Sequence, residues 1–154
     1  MACVNDVARY ILEHAEGCVS TMKLQKLVYY AQAWHLVWDE QPLFDSRIEA
    51  WANGPVVREL YVQHRGEFTA RRELFPGDSG RLTSDEKESI DAVLKAYGRL
   101  NGQQLSDLSH SERPWRKAYG GLTVGQGSVR EIDLTVMQEF YTAMYLEGRH
   151  VDAR

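Results

Sequence analysis

The chain predicts a mostly α fold: a single compact domain over 1–154, six or seven helices around a central apolar helix, and a small β-hairpin near residues 43–52. Three observations lead there. Residues 22–38 are apolar on nearly every side, whereas a helix wet on one face shows a narrow apolar stripe. Capping residues punctuate the chain at helical spacing. Period-two alternation is confined to two short pieces around Asp45-Ser46.

Taken in order, Asn5 is placed to cap a first helix carrying Val7, Ala8, Ile11, Leu12 and Ala15, and Gly17 to end it. Ser20 or Thr21 then caps the central helix, which stops near Asp39, ahead of Pro42. Leu24, Leu27, Val28, Ala31 and Trp38 form one stripe on it, and Tyr30, Ala33, Trp34 and Val37 a second, so both faces are covered. Leu43 to Ala52 reads as the hairpin. Asn53-Gly54-Pro55 follows as punctuation, with Pro55 suited to the first turn of a helix that runs to about Arg65.

Residues 66–82 form the longest irregular segment, a length usual for a mobile or binding loop. Thr83-Ser-Asp-Glu86 has capping-box spacing and opens a helix with Ile90, Val93, Leu94 and Tyr97, which Asn101-Gly102 closes. Leu105 and Leu108 mark a short helix. Pro114 opens another that ends at Gly120-Gly121, and a last one starts at Asp133 with Val136, Met137, Phe140, Tyr141 and Met144 as its stripe.

Net charge is −4, with acidic and basic residues interleaved, so no basic stripe suits a phosphate backbone and nucleic acid is not an expected partner. Lys23, Gln25, Lys26, Gln32 and His35 make the central helix a poor membrane span, and no membrane partner is expected. Cys3 and Cys18 flank the first helix, too far apart for a disulfide. Free thiols and an N-terminus without secretory character lead to the expectation of a cytoplasmic protein.

Chemistry-bearing patterns stay incomplete. His110-Ser-Glu112 has the His-x-Glu start of a zinc deaminase signature, but no Pro-Cys-x-x-Cys follows. The plainer reading is a loop whose His and Glu bond backbone amides before Pro114-Trp115. His14, His35, His64 and His150 share no metal-ligand spacing, and His35 reads as a satisfied, partly buried imidazole. Gly120 to Gly127 lacks the Lys-Ser/Thr ending of a phosphate loop and reads as a flexible connection. No catalytic residue, metal or cofactor is expected. An enzyme acting on a small molecule through His110 and Glu112 is kept as a rival reading.

The run Lys23-Leu-Gln-Lys-Leu-Val-Tyr-Tyr-Ala-Gln-Ala-Trp34, then Pro42-Leu-Phe44, then Ile48-Glu-Ala-Trp-Ala-Asn-Gly-Pro-Val-Val57 with Leu60-Tyr61, resembles the signature of the Panacea domain family. His110-Ser-Glu-Arg-Pro-Trp115 is similar to that family's later motif, and the resemblance spans about Val4 to Tyr145. It implies a mostly helical, phage-associated protein of the SocA-like antitoxin kind. The expected partner is a cognate protein toxin encoded by an adjacent gene, neutralised by direct contact. A relative that delivers its toxin to a bacterial protease makes a proteolytic adaptor the alternative, with the protease as second partner.

The contact surface is expected from residue types. Lys23 and Lys26, three apart, make either a positive edge for an acidic partner or two solvated lysines with their stems over the core. Tyr30, Trp34, Asn53, Arg71, Arg72, His110 and Glu112 complete the expected contact set. Leu24, Leu27, Trp51, Gly54, Pro55 and Trp115 are expected to be architectural.

Overall fold

The computed structural model describes residues 1–120 and 130–149. Among these the chain is mostly helical, with seven α-helices and one small antiparallel sheet. His150 and the glycine-rich connection from Gly121 onward lie outside the described residues.

Helix α1, Val4–His14, is followed by α2, Thr21–Asp39. The Ser20 hydroxyl caps α2 by accepting from the Lys23 amide at 3.1 Å. Every residue of α2 from Leu24 to Leu36 is buried, polar ones included. The cause is its surroundings: α1, α4 (Ser84–Tyr97), α5 (Gly102–His110), α7 (Leu134–Leu146) and the sheet all pack on it. Trp34, Tyr29, Tyr30, Leu24 and Leu27 are fully buried there. Burial of each leucine among them stabilises the fold by roughly 1.5–3 kcal/mol.

The hairpin lies further along the chain than expected. Its strands are β1, Ile48–Trp51, and β2, Gly54–Val57, with Ala52-Asn53 at the turn. Residues 43–44 fail to pair with β1 because their backbone groups are already taken. The Gln32 side chain accepts from the Leu43 amide at 2.6 Å and donates to the Phe44 carbonyl at 2.8 Å, while Ala2 donates to the Leu43 carbonyl at 2.8 Å. Pro55 accordingly sits in β2, not in a helical first turn, and α3 is Arg58–His64. A third strand, β3 at Arg130–Glu131, pairs with the free edge of β1, giving the order β2-β1-β3.

Caps decide the remaining boundaries. Thr83 and Glu86 form the expected capping box, with amide bonds of 2.8 and 3.2 Å. Asp133 caps α7 through the Thr135 and Val136 amides. Asn101 does not close α4; it opens α5 with its own capping box to Gln104. Asn5 is not a cap either. It lies inside α1, behind Cys3, and its side chain accepts from Gln63. The chain leaves α1 through Gly17, whose φ of +69° is left-handed as a glycine permits.

Residues 66–82 are threaded against the body, with short 3-10 turns at Arg72–Leu74 and Ser79–Arg81. The Thr21 amide donates to the Phe68 carbonyl and Ala70 to Val19, both at 2.8 Å. Asp6 accepts from the Asp78 amide at 2.7 Å and Arg9 donates to the Arg72 and Phe75 carbonyls. Helix α6, Arg113–Tyr119, opens with Pro114 as its proline chemistry suggests. Among the described residues no helix is long and apolar enough to cross a membrane.

Candidate functional site

Two polar clusters are built on α2, and together they gather most of the residues expected at a contact surface. The first is closed. The Glu112 carboxylate, 5% exposed, accepts from the Tyr30 hydroxyl at 2.6 Å and from the Tyr141 hydroxyl at 2.8 Å. Tyr29 and Tyr141 share a bond of 3.0 Å, and Trp34 donates to the Tyr97 hydroxyl at 3.0 Å. The Tyr30 and Tyr97 rings stack with centroids 4.2 Å apart. Burial pushes the Glu112 carboxyl above the usual carboxylate range, partly offset by the two tyrosine hydroxyls. Burial likewise holds Tyr29, Tyr30, Tyr97 and Tyr141 well above the usual phenol range.

Glu112 therefore bonds phenols, where backbone amides were expected. It sits at the start of α6 without capping it. His110 is half-buried against Trp115, with centroids 4.3 Å apart, and does not join Glu112's hydrogen bonds. Tyr30 and Trp34 are 0% exposed, so in this conformation both are core and neither offers a surface. Trp115 and Trp51 are half-buried, and the Trp115 indole donates to the Trp51 carbonyl at 2.9 Å.

The second cluster is open. Gln25, two turns before Gln32 on the same face, treats the Val57 backbone as a strand would: its side chain accepts from the Val57 amide at 2.8 Å and donates to the carbonyl at 3.2 Å. Its amide nitrogen also donates to His64 Nε2 at 2.9 Å. Since the Val57 amide needs Gln25's oxygen, the nitrogen faces His64, and His64 Nε2 must accept. That places the ring proton on Nδ1 and keeps the imidazole neutral. Burial, with Lys26 nearby, lowers the His64 pKa in agreement.

Lys26 is 2% exposed, the reverse of the expected positive edge. Its ammonium reaches under the hairpin turn and donates to the Pro55 carbonyl at 3.0 Å. Burial lowers its pKa to about 8. Gly54, at φ +115°, makes the approach possible: a Cβ there would lie 2.8 Å from Lys26 Cε and 3.1 Å from Ser109 Oγ. Lys26, Gln25, Trp51, Asn53, Tyr61 and His64 line a hollow of about 240 Å³.

Across Met22 lies a wider hollow of about 520 Å³, reaching Lys23, Phe68, Arg99 and Leu100. Phe68 is 82% exposed on backbone fixed by Thr21. Lys23 is partly buried and donates to the Gly98 carbonyl at 2.7 Å. Arg71 and Arg72 are exposed on the 66–82 segment, Arg71 lying 3.5 Å from Glu67. Of the expected contact residues, the structure brings together Lys26 and Asn53 in one place and Tyr30, Trp34 and Glu112 in another. His64, Gln25, Tyr61 and Phe68 were not foreseen. Gln25 and Gln32, seven apart on a helix that is apolar on nearly every side, are the available signal. Among the described residues no group of His, Cys, Asp or Glu is arranged to hold a metal.

Comparison with known proteins agrees with the resemblance read from the motifs. Over 124 residues the chain is 31% identical to Antitoxin SocA of Caulobacter vibrioides (strain NA1000 / CB15N), covering 71% of this chain and 66% of that antitoxin, just under two thirds of its length. No solved structure matches. Residues 24–116, which hold α2 from Leu24 onward, the hairpin and the Glu112 loop, match the family described as Antitoxin SocA-like, Panacea domain. The chain belongs to that family.

Proposed function

We propose that this chain is an antitoxin that acts in the cytoplasm by binding a toxic protein directly, without catalysis, and that the toxic protein is encoded by a neighbouring reading frame. The face at the start of α2 makes the contact. Phe68 is the observation that carries this. A large aromatic side chain at 82% exposure is held on backbone pinned through Thr21 and Ala70, lining the wider of two hollows that meet at Met22. Pre-positioned aromatic residues bind at low ordering cost, and Phe is among the residue types enriched at protein interfaces. Family membership gives the partner its class.

The test is growth of cells expressing the neighbouring frame with this chain, without it, and with Phe68→Ala. Rescue by the natural chain and its loss with Phe68→Ala, at unchanged thermal stability, are expected. A harmless neighbour would overturn the antitoxin reading. Full rescue by Phe68→Ala would move the contact elsewhere.

A further inference from the structure

We infer that the hollow beside the hairpin turn binds a carboxylate of the partner protein, received by the Lys26 ammonium alongside the packed Trp51 and Tyr61 rings. The inference rests on the antitoxin reading for the identity of the partner, but its chemistry stands on the hollow alone.

A lysine ammonium has three donors and no acceptor. Here it is removed from water, and its hydrogen-bond partner among the described residues is the uncharged Pro55 carbonyl at 3.0 Å. Buried charges are ordinarily paired with an opposite charge. The hairpin's own carboxylate, Glu49, does not answer it. Glu49 is held by Arg47 at 3.0 Å and by the Trp51 indole at 2.9 Å, and it is not among the lining residues. Two donors and one positive charge are thus left without a partner among the described residues, on a buried side chain that lines a hollow of about 240 Å³.

The lining selects the ligand's charge and shape. His64 is kept neutral by the Gln25 amide, so Lys26 supplies the one formal charge among the lining residues. A single cation matches a monoanion; a phosphate dianion would leave uncompensated charge in a half-dry site. A cation or metal ion is repelled. The walls of Trp51, Tyr61 and Val56 suit a short apolar stem behind the charge. An acidic side chain and a chain-terminal carboxylate both have this form. The close approach at Gly54 holds the ammonium in place, since any larger residue there would press on Lys26 Cε.

The experiment titrates the full chain at millimolar concentration with N-acetylglutamic acid α-amide, with N-acetylleucine, and with N-acetylglutamine α-amide as the uncharged control. The readouts are the NMR shifts of the Trp51 indole N–H and the Lys26 Cε methylene. Saturable shifts with a carboxylate, at least about tenfold weaker with the glutamine compound and lost in Lys26→Met, are expected. A response confined to the glutamic compound identifies a side chain; one confined to N-acetylleucine identifies a chain end. Equal response to glutamine, no saturable response to either carboxylate, or an undiminished response in Lys26→Met overturns the inference. Because these probes need no toxin, a carboxylate that binds while the neighbouring frame proves harmless removes the antitoxin reading alone. Neutralisation without carboxylate binding removes the hollow alone.

Discussion

Glu112 and Lys26 are both buried ionisable groups bonded to or beside α2, but they are finished differently. Glu112 is met by two hydroxyls at 2.6 and 2.8 Å in a packed nest of aromatic rings. Lys26 is met by one carbonyl and borders a hollow. A satisfied polar cluster fixes one arrangement of the core, while a partly satisfied one costs stability and is retained where it serves binding. The comparison predicts opposite outcomes for removing the two groups.

The largest effect is expected at Glu112. Glu112→Ala leaves the Tyr30 and Tyr141 hydroxyls buried without their acceptor and opens a cavity, costing about 4 kcal/mol. Urea denaturation measures it, with Glu112→Gln, which keeps one acceptor oxygen, losing clearly less. Equal losses from the two substitutions would mean that volume, not the hydrogen bonds, holds this cluster.

Gly54→Ala comes next, at about 2–3 kcal/mol. The backbone there has φ +115° and the new methyl would lie 2.8 Å from Lys26 Cε. Because the clash is with a side-chain stem, the double variant Gly54→Ala with Lys26→Ala should recover part of the loss. If it recovers nothing, backbone strain alone is the cause.

Much of this was legible beforehand and some was not, for reasons the same residues illustrate. Local signals worked where the physics is local: the Thr83–Glu86 capping box, Ser20 before α2 and Asp133 before α7 are satisfied by amides within three residues. Alternation puts the hairpin too early because Leu43 and Phe44 bond to Gln32 and Ala2, partners that period two cannot reveal. The 66–82 segment reads as loop by composition, yet it is pinned by Asp6, Arg9 and Thr21 from helices far away in sequence. Lys26 fails as an expected surface residue because helical spacing reports which residues share a face, not whether another element covers that face. Both clusters depend on such long-range closure. The sequence marks Lys26, Asn53, Tyr30, Trp34 and Glu112 but not their grouping, and it does not mark Gln25, Tyr61 or His64.

Lys26→Met is expected to act in the opposite direction to Glu112→Ala. It removes a charge whose burial lowers its pKa to about 8. The gain is offset in part by the lost bond to the Pro55 carbonyl, leaving a net stabilisation of about 1–2 kcal/mol. The same variant should lose rescue in the growth assay. A less stable protein that still rescues would show that the ammonium serves the fold and not a partner.

The smallest effect is a pH dependence that belongs to Lys26 alone. Its pKa of about 8 lies below the ordinary 10.5, so between those values the native chain has released a proton that the unfolded chain still holds. Stability follows the excess of protons on the unfolded state, and therefore rises with pH across this window. From pH 7 to 9 the rise is about 1 kcal/mol. The tyrosines close the window from above: Tyr29, Tyr30, Tyr97 and Tyr141 stay protonated when folded, so above about pH 10 their ionisation in the unfolded chain reverses the trend. Glu112 has the other sign. Its raised pKa adds stability that is fully present below 4.5 and lost as pH climbs through the folded value. Subtracting the urea-derived stability of Lys26→Met from that of the natural chain at each pH isolates Lys26 between pH 7 and 9, because groups it does not touch cancel and His64, whose lowered pKa it shares in setting, is already largely neutral there. A flat difference between pH 7 and 9 would mean that the ammonium is hydrated in solution, and the contrast between a closed and an open cluster would lose its electrostatic basis.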